Sequence, residues 1–413
     1  MSGRVLGVTL GIVTALGGFV DIGELLFASL GGARFEYATV WAVVLGAGAI
    51  VVYSEQCGRV AIVTGKPVFV VVRERLGYSV GLGALITSTV VNVLTCAAEV
   101  GGVAIALRLL TGLPYGIWVV IGVLVLVAVV ALVPFEGLER LFGLVGLCIL
   151  AFTGAAIVLG PDWGALAGGL IPNVPQGLDG GGLSSYGYLC VGLVAGTVMP
   201  YEVQFYSSGN VEEGKTPGEL LDNGLVAIVG LLLGAVVTTS LVITGAEVLA
   251  PLGIQPGHLG TPLLAPIAAF GVPGLLLGLV GILFAVGGAA VETSLAGAYG
   301  VAQFFGLEWG KSVKPWRVPR FTLSWLVVFG LASLILASGI DPLEVTELAV
   351  VFSVVILPLT YLPILLAARD RQAMGEHTNG RLQDALAIVF LGLITVVAVV
   401  AVPLMWLSRF GNA

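Results

Sequence analysis

Apolar runs about twenty residues long recur from one end of this 413-residue chain to the other, and no other feature narrows the fold as far. A hydrocarbon layer about 30 Å thick takes roughly 20 apolar residues per helical crossing. Composition agrees: 58% of residues are hydrophobic and only 10% charged, where a soluble domain carries about 25% charged residues. Such a chain reads as an all-α polytopic membrane protein with the lipid bilayer as its main solvent, and its length counts spans rather than domains.

Cutting the runs at charged or Pro/Gly-rich punctuation predicts eleven spans, at roughly 5–30, 37–56, 80–108, 114–134, 138–160, 186–208, 221–250, 270–304, 318–338, 345–367 and 382–408. They leave no room for a soluble domain, so residues 1–413 are expected to form one transmembrane domain. With the N-terminus in the cytoplasm, Arg4, Arg59, Lys66, Arg73, Arg75, Arg140, Lys215, Lys311, Lys314, Arg317, Arg320, Arg369, Arg371 and Arg381 fall inside. Only Arg34, Arg108 and Arg409 fall outside. The positive-inside rule therefore favours N-in, C-out. The N-terminus lacks a small-residue cleavage site and reads as a first span rather than a removed signal.

The formal net charge of −7 gives no nucleic-acid surface, and no phosphate loop or cofactor fingerprint stands out. Neither catalysis nor a resident cofactor is expected, and transport would be driven by an ion or its gradient. Cys57, Cys96, Cys148 and Cys190 lack metal-ligand spacing and read as packing thiols. His258 and His377 lie between spans, so no span offers an imidazole as proton shuttle. Glycines such as Gly278 and Gly281 suit close helix contacts.

Spans 1 and 6 alone combine acidic residues with mid-span glycines: Gly17, Gly18, Asp21, Gly23 and Glu24 in one, and Gly196, Met199, Pro200 and Glu202 in the other. Both read as discontinuous helices. Two broken helices five spans apart are what an inverted five-plus-five repeat produces, with the site at the breaks and the eleventh helix an appendage. Helices 1–5 would occupy about 5–160, helices 6–10 about 186–367 and helix 11 about 382–408.

Asp21 and Glu24 converge whether the stretch is helical or unwound. A carboxylate at membrane depth costs several kcal/mol unless compensated, and Arg4 and Arg34 lie only at the ends of the span. The natural partner is a cation that comes and goes; the alternative is a permanent hydrogen bond to a helix terminus or neighbour. Pro200 lacks an amide donor and frees carbonyls such as that of Gly196. Met199 offers either a soft ligand or packing. Glu202 is a third site acid or a gate residue. Glu99 and Glu292 are the other deep acids, suited to orienting the site, relaying protons, lining the path or serving as hydrogen-bonded structural acids.

In order, the motifs resemble the Nramp divalent-metal transporters over nearly the whole chain. Asp21-Ile22-Gly23-Glu24 stands where that family has Asp-Pro-Gly-Asn. Val63-Thr64-Gly65-Lys66, Ala98-Glu99-Val100-Gly101 and Ala104-Ile105-Ala106-Leu107 follow. Pro161-Asp162-Trp163-Gly164 with Gly169-Leu170-Ile171-Pro172, Thr197-Val198-Met199-Pro200 and Ser294-Leu295-Ala296-Gly297 complete the match. The resemblance implies a LeuT-like fold, with metal held by Asp21, Glu24, the Gly196 carbonyl and the Met199 sulfur.

The departures cluster in that site: Glu24 for asparagine, Ile22 for proline, Gly196 for alanine, Tyr201 for the histidine after Met-Pro, and Cys96 for a third-helix aspartate, while Glu99 is kept. A second carboxylate and a wider cavity favour a harder, wetter ion, as in the Nramp-related magnesium transporters of prokaryotes. The expected cargo is Mg²⁺, with Mn²⁺ retained through Met199, carried by a monomer in a prokaryotic inner membrane with weak or no proton coupling. Two alternatives are an ordinary proton-coupled Mn²⁺/Fe²⁺ symporter and a sodium-coupled symporter of amino acids or organic cations. A metal sensor or scaffold is disfavoured by the absence of an output domain.

Overall fold

A computed structural model describes residues 20–258 and 260–411, together with 7–9, 11–13 and 15. Arg4, Gly17 and Gly18, which the sequence places in the first span, lie outside the described residues. The regular elements among the described residues are all helical. In order, the long ones are α1 (Ile22–Phe35), α2 (Val40–Thr64), α3 (Val68–Thr111), α4 (Tyr115–Leu132), α5 (Phe135–Leu159), α6 (Gly180–Thr197), α7 (Pro200–Glu212), α8 (Pro217–Leu249), α9 (Val272–Phe305), α10 (Pro319–Ala337), α11 (Pro342–Ala368) and α12 (Arg381–Leu407).

Ten helical segments among the described residues are long and apolar enough to cross a membrane. The first runs from Ile22 to Thr64 and joins two predicted spans, because only a single 3₁₀ turn, Glu36–Thr39, separates α1 from α2. Residues 68–76, expected in a loop, instead begin α3. The helix bends at Gly77, whose φ of 79° and ψ of 170° no other residue type adopts cheaply. The remaining ends follow local chemistry. Pro200, Pro319 and Pro342 open helices where a missing amide is harmless, and Gly65, Gly112 and Gly306 close them in the left-handed conformation.

Backbone-to-backbone packing sets the interior. A Cβ on Gly32 of α1 would lie 2.1 Å from the Val242 carbonyl oxygen of α8, and one on Gly281 of α9 would lie 2.4 Å from the Ile149 nitrogen of α5. The second contact is the small-residue packing expected around Gly278–Gly281; the first locks α1 alongside α8. Large apolar side chains on α4, such as Val120 and Leu124, face outward, as lipid contact requires.

The polar ends of the bundle sort into two groups. Arg34 donates to Gln255 (2.7 Å) and to the Gly411 carbonyl. At the other end of α2, Arg59 pairs with Glu55 (2.8 Å) and binds the His377 carbonyl, while Arg75 pairs with Asp370 (2.6 Å). That pairing and a hydrogen bond from Gln372 N–H hold the half-buried Asp370 carboxyl below its ordinary range.

Candidate metal site

The first break is held by carboxylates. Asp21 is the N-cap of α1, with extended backbone and its Oδ1 accepting the Glu24 amide at 2.9 Å. Glu99, from α3, accepts the Ile22 amide at 3.3 Å. Both amides are orphan donors of a helix start, so two acids distant in sequence satisfy adjacent positions. Tyr201 donates its hydroxyl to Asp21 Oδ2 at 3.4 Å. Glu24 projects from the first turn of α1 toward α8, where Thr238 donates to its Oε2 at 2.7 Å.

The second break is held by a proline. α6 ends at Thr197 and α7 begins at Pro200, with Val198 and Met199 non-helical between them. The helical partner of the Gly196 carbonyl would be the amide of residue 200, which proline lacks, so that carbonyl keeps free acceptor capacity. Gly196 faces the first break: a Cβ there would sit 3.6 Å from Glu24 Cγ and 3.7 Å from the Glu24 nitrogen. Those are ordinary contacts, so the space that glycine leaves is about one methyl group. Met199 is buried, and its sulfur accepts from Ser353 of α11 at 3.3 Å. Val350, one turn earlier on α11, packs over Gly23, which brings the same helix to both breaks.

The structure thus brings Asp21, Glu24, Gly196, Tyr201 and Glu99 together around the breaks, with Met199 beside them under α11. Asp21 is 0% and Glu24 1% exposed. Glu24 Oε1 and Glu99 Oε2 are buried without a hydrogen-bond partner among the described residues. Two acids with spare oxygens, a carbonyl lacking its helical donor and a thioether form a set that can take a cation. No three His, Cys, Asp or Glu side chains converge as a ready metal cluster among the described residues, so water, the carbonyl and sulfur would have to complete any coordination shell.

Glu202 and Glu292 share a cavity lining. Both line a cavity of about 760 Å³ that also touches Ser54, Lys215 and Asn223, and whose lining includes neither Asp21 nor Glu24. A second cavity, of about 510 Å³, sits at the opposite end against Arg34, Tyr37 and Asn173. Asp21 and Glu24 line neither cavity and are buried. Cys96 is buried, with its thiol toward the Ala290 carbonyl, the packing position expected of it. Thr238, Ser353 and the Ile22 amide escaped the sequence reading. The hydroxyls stand out only as polar atoms in apolar spans, and nothing local says which break they serve.

Comparison with known proteins adds four likenesses. The family profile described as natural resistance-associated macrophage protein-like, Nramp, matches residues 11–403. The divalent metal cation transporter MntH 1 of Pseudomonas aeruginosa is 28% identical over 401 residues, covering 92% of this chain and 87% of that protein. Among solved structures, a mutant of the Eremococcus coleocola manganese transporter superposes with a TM-score of 0.76 at 20% identity, covering 98% of this chain and 87% of that one. Mhp1, a nucleobase-cation-symport-1 family transporter, superposes with a TM-score of 0.59 at 17% identity, covering 97% and 92%. The last two establish the LeuT-like architecture alone.

Proposed function

This chain belongs to the Nramp family, and from that premise we propose that it imports divalent metal ions, Mg²⁺ and Mn²⁺, by alternating access with little or no proton coupling. The observation that carries the reading is the pair Asp21 and Glu24: two buried carboxylates at one helix break, one with an oxygen that nothing in the described protein occupies. Family membership supports the broader part, divalent-metal transport. Glu24 supports the finer part, because a second carboxylate supplies hard oxygen to an ion that gives up its water reluctantly. Met199 keeps Mn²⁺ acceptable.

Residues 1–413 act in this reading as one transporter domain, a ten-helix core with α12 as the eleventh helix. It is a monomer in a prokaryotic inner membrane, N-terminus in the cytoplasm and C-terminus outside. The cavity at the Arg59 and Lys215 end is then the inner vestibule. The ion enters from the Arg34 side, binds at Asp21 and Glu24, and is released inward as α1 and α7 rock against the rest. An inside-negative potential contributes about 2.3 kcal/mol per charge per 100 mV, hence about 4.6 for a divalent ion, enough to drive uptake without protons.

A second reading, proton-coupled Mn²⁺/Fe²⁺ symport, is favoured by the unpartnered Oε2 of Glu99 beside the break. Sodium-coupled symport of an amino acid is disfavoured, since Asp21 and Glu24 would repel a substrate carboxylate. One flux experiment separates them. In proteoliposomes, Mn²⁺ uptake should be competed by Mg²⁺ without internal acidification; acidification that tracks uptake supports the second reading, and flux indifferent to Mg²⁺ overturns the first.

A further inference from the structure

The approach to α10 exposes positive charge that the protein itself does not answer. Residues 309–340 contain Lys311, Lys314, Arg317 and Arg320 and no aspartate or glutamate. Lys311 is buried and donates to the Val133 carbonyl. The other three are exposed. Lys314 lies over Trp316, with its Nζ 5.3 Å from the ring centre, and the Arg317 and Arg320 side chains make no hydrogen bond or ion pair among the described residues. Most other cations at this end of the bundle are answered by carboxylates: Arg59 by Glu55, Lys66 by Glu74, Arg75 by Asp370 and Arg369 by Asp384. Arg371 and Arg381 are not, but acids flank them in sequence at Asp370 and Asp384.

One side of α10 faces lipid. Leu323, Val327, Leu331 and Leu334 are 62%, 47%, 44% and 67% exposed, whereas Phe321, Trp325, Val328, Phe329 and Ala332 are buried. Steps of three or four residues place Arg320 on the exposed side too, at the head of the apolar stripe. From Arg320 to Leu331 the helix rises about 16 Å, close to the roughly 15 Å of hydrocarbon that one leaflet contributes. Trp316, four residues before Arg320, is 71% exposed, as suits an aromatic ring at the boundary between hydrocarbon and water.

We propose that Lys314, Arg317 and Arg320 form a binding site for one anionic phospholipid, its headgroup phosphate held by the two guanidinium groups and an acyl chain laid along Leu323, Val327 and Leu331. A guanidinium matches phosphate through two parallel N–H donors, and a phospholipid headgroup is the anion that a side chain meets at this depth. The stripe distinguishes a lipid from a free phosphate, because only a lipid uses the cations and the leucines together. This site is independent of which ion the protein carries.

The test is native mass spectrometry of the full-length protein, released from detergent micelles after titration with phosphatidylglycerol or phosphatidylcholine. The wild type should hold one phosphatidylglycerol at least about tenfold more tightly than phosphatidylcholine. Each cation near an anionic headgroup is worth about fivefold in affinity, so Arg317→Gln with Arg320→Gln should lower phosphatidylglycerol affinity about 25-fold and Lys314→Gln about fivefold. Arg371→Gln with Arg381→Gln, which removes as much charge from the same end, should leave it unchanged. An unaltered size-exclusion profile checks that the variants fold; if the Arg317 and Arg320 pair cannot be purified, Lys314→Gln carries the test. Equal affinity for the two lipids overturns the site. A loss matched by the Arg371 and Arg381 pair also overturns it, since net charge would then suffice. Displacement of the lipid by excess inorganic phosphate assigns the cations to a free anion and overturns the lipid.

Discussion

The two helix breaks meet at the same place and are built by opposite means. At the first, side-chain acids satisfy the exposed amides: Asp21 takes the Glu24 N–H and Glu99 the Ile22 N–H. At the second, Pro200 removes the amide instead, no side chain caps α7, and the Gly196 carbonyl keeps its acceptor capacity. One break therefore contributes net negative charge and the other a neutral dipole and a sulfur. A pseudo-symmetric scaffold thus carries two chemically different breaks, one charged and one neutral.

Breaking the charged side should have the largest effect. Asp21→Ala removes a buried charge from any bound ion, a loss of about 3 kcal/mol or more, so Mn²⁺ uptake into proteoliposomes should fall at least about 100-fold. Normal uptake by that variant would end the assignment of the site. Glu24→Gln keeps an acceptor for Thr238 and loses only the charge; Mg²⁺ competition against Mn²⁺ flux should weaken by about tenfold while Mn²⁺ uptake persists. Equal loss for both ions would mean that Glu24 supports the fold rather than the choice of ion.

The neutral side should respond more gently. Met199→Leu conserves volume, a swap that usually costs under about 1.5 kcal/mol of stability, and removes the sulfur. Mn²⁺ affinity should drop roughly three- to tenfold with Mg²⁺ unchanged, as read by competition titration; parallel changes would assign Met199 to packing against Ser353. Gly196→Ala should be smallest. The added methyl meets Glu24 and Gly23 only at 3.6 Å or beyond, so Mn²⁺ affinity should move less than about threefold, and a larger loss would show that the Gly196 backbone has to shift during transport.

The helices were legible because their signal is additive over twenty residues: hydropathy, punctuation by proline and glycine, and the placement of arginines and lysines. The predicted spans from 80–108 onward overlap the helices that form. The joining of the first two spans was not legible, since Glu36 falls in the gap between them and the stretch Glu36–Thr39 becomes a single 3₁₀ turn. The stretch 68–76 was hidden for a related reason: Arg73, Glu74 and Arg75 lower its hydropathy, yet they sit on a helix whose polar end binds the Phe304 carbonyl and Asp370. Among the site residues, Asp21 and Glu24 stood out as acids in an apolar span, and Met199 and Pro200 as a break.

Sequence alone determined that this chain crosses a membrane many times, that two of its helices are interrupted, and that carboxylates stand at the interruption, because each of these follows from residues within one span of one another. Tertiary structure decided the rest. Only packing brings Glu99 to an amide 77 residues away and Thr238 to a carboxylate 214 residues away, and only packing sets Glu202 and Glu292 along one cavity whose lining includes neither Asp21 nor Glu24. The physical reason is that the cost of burying a charge is written locally, whereas the identity of the group that compensates it depends on which helices close against each other.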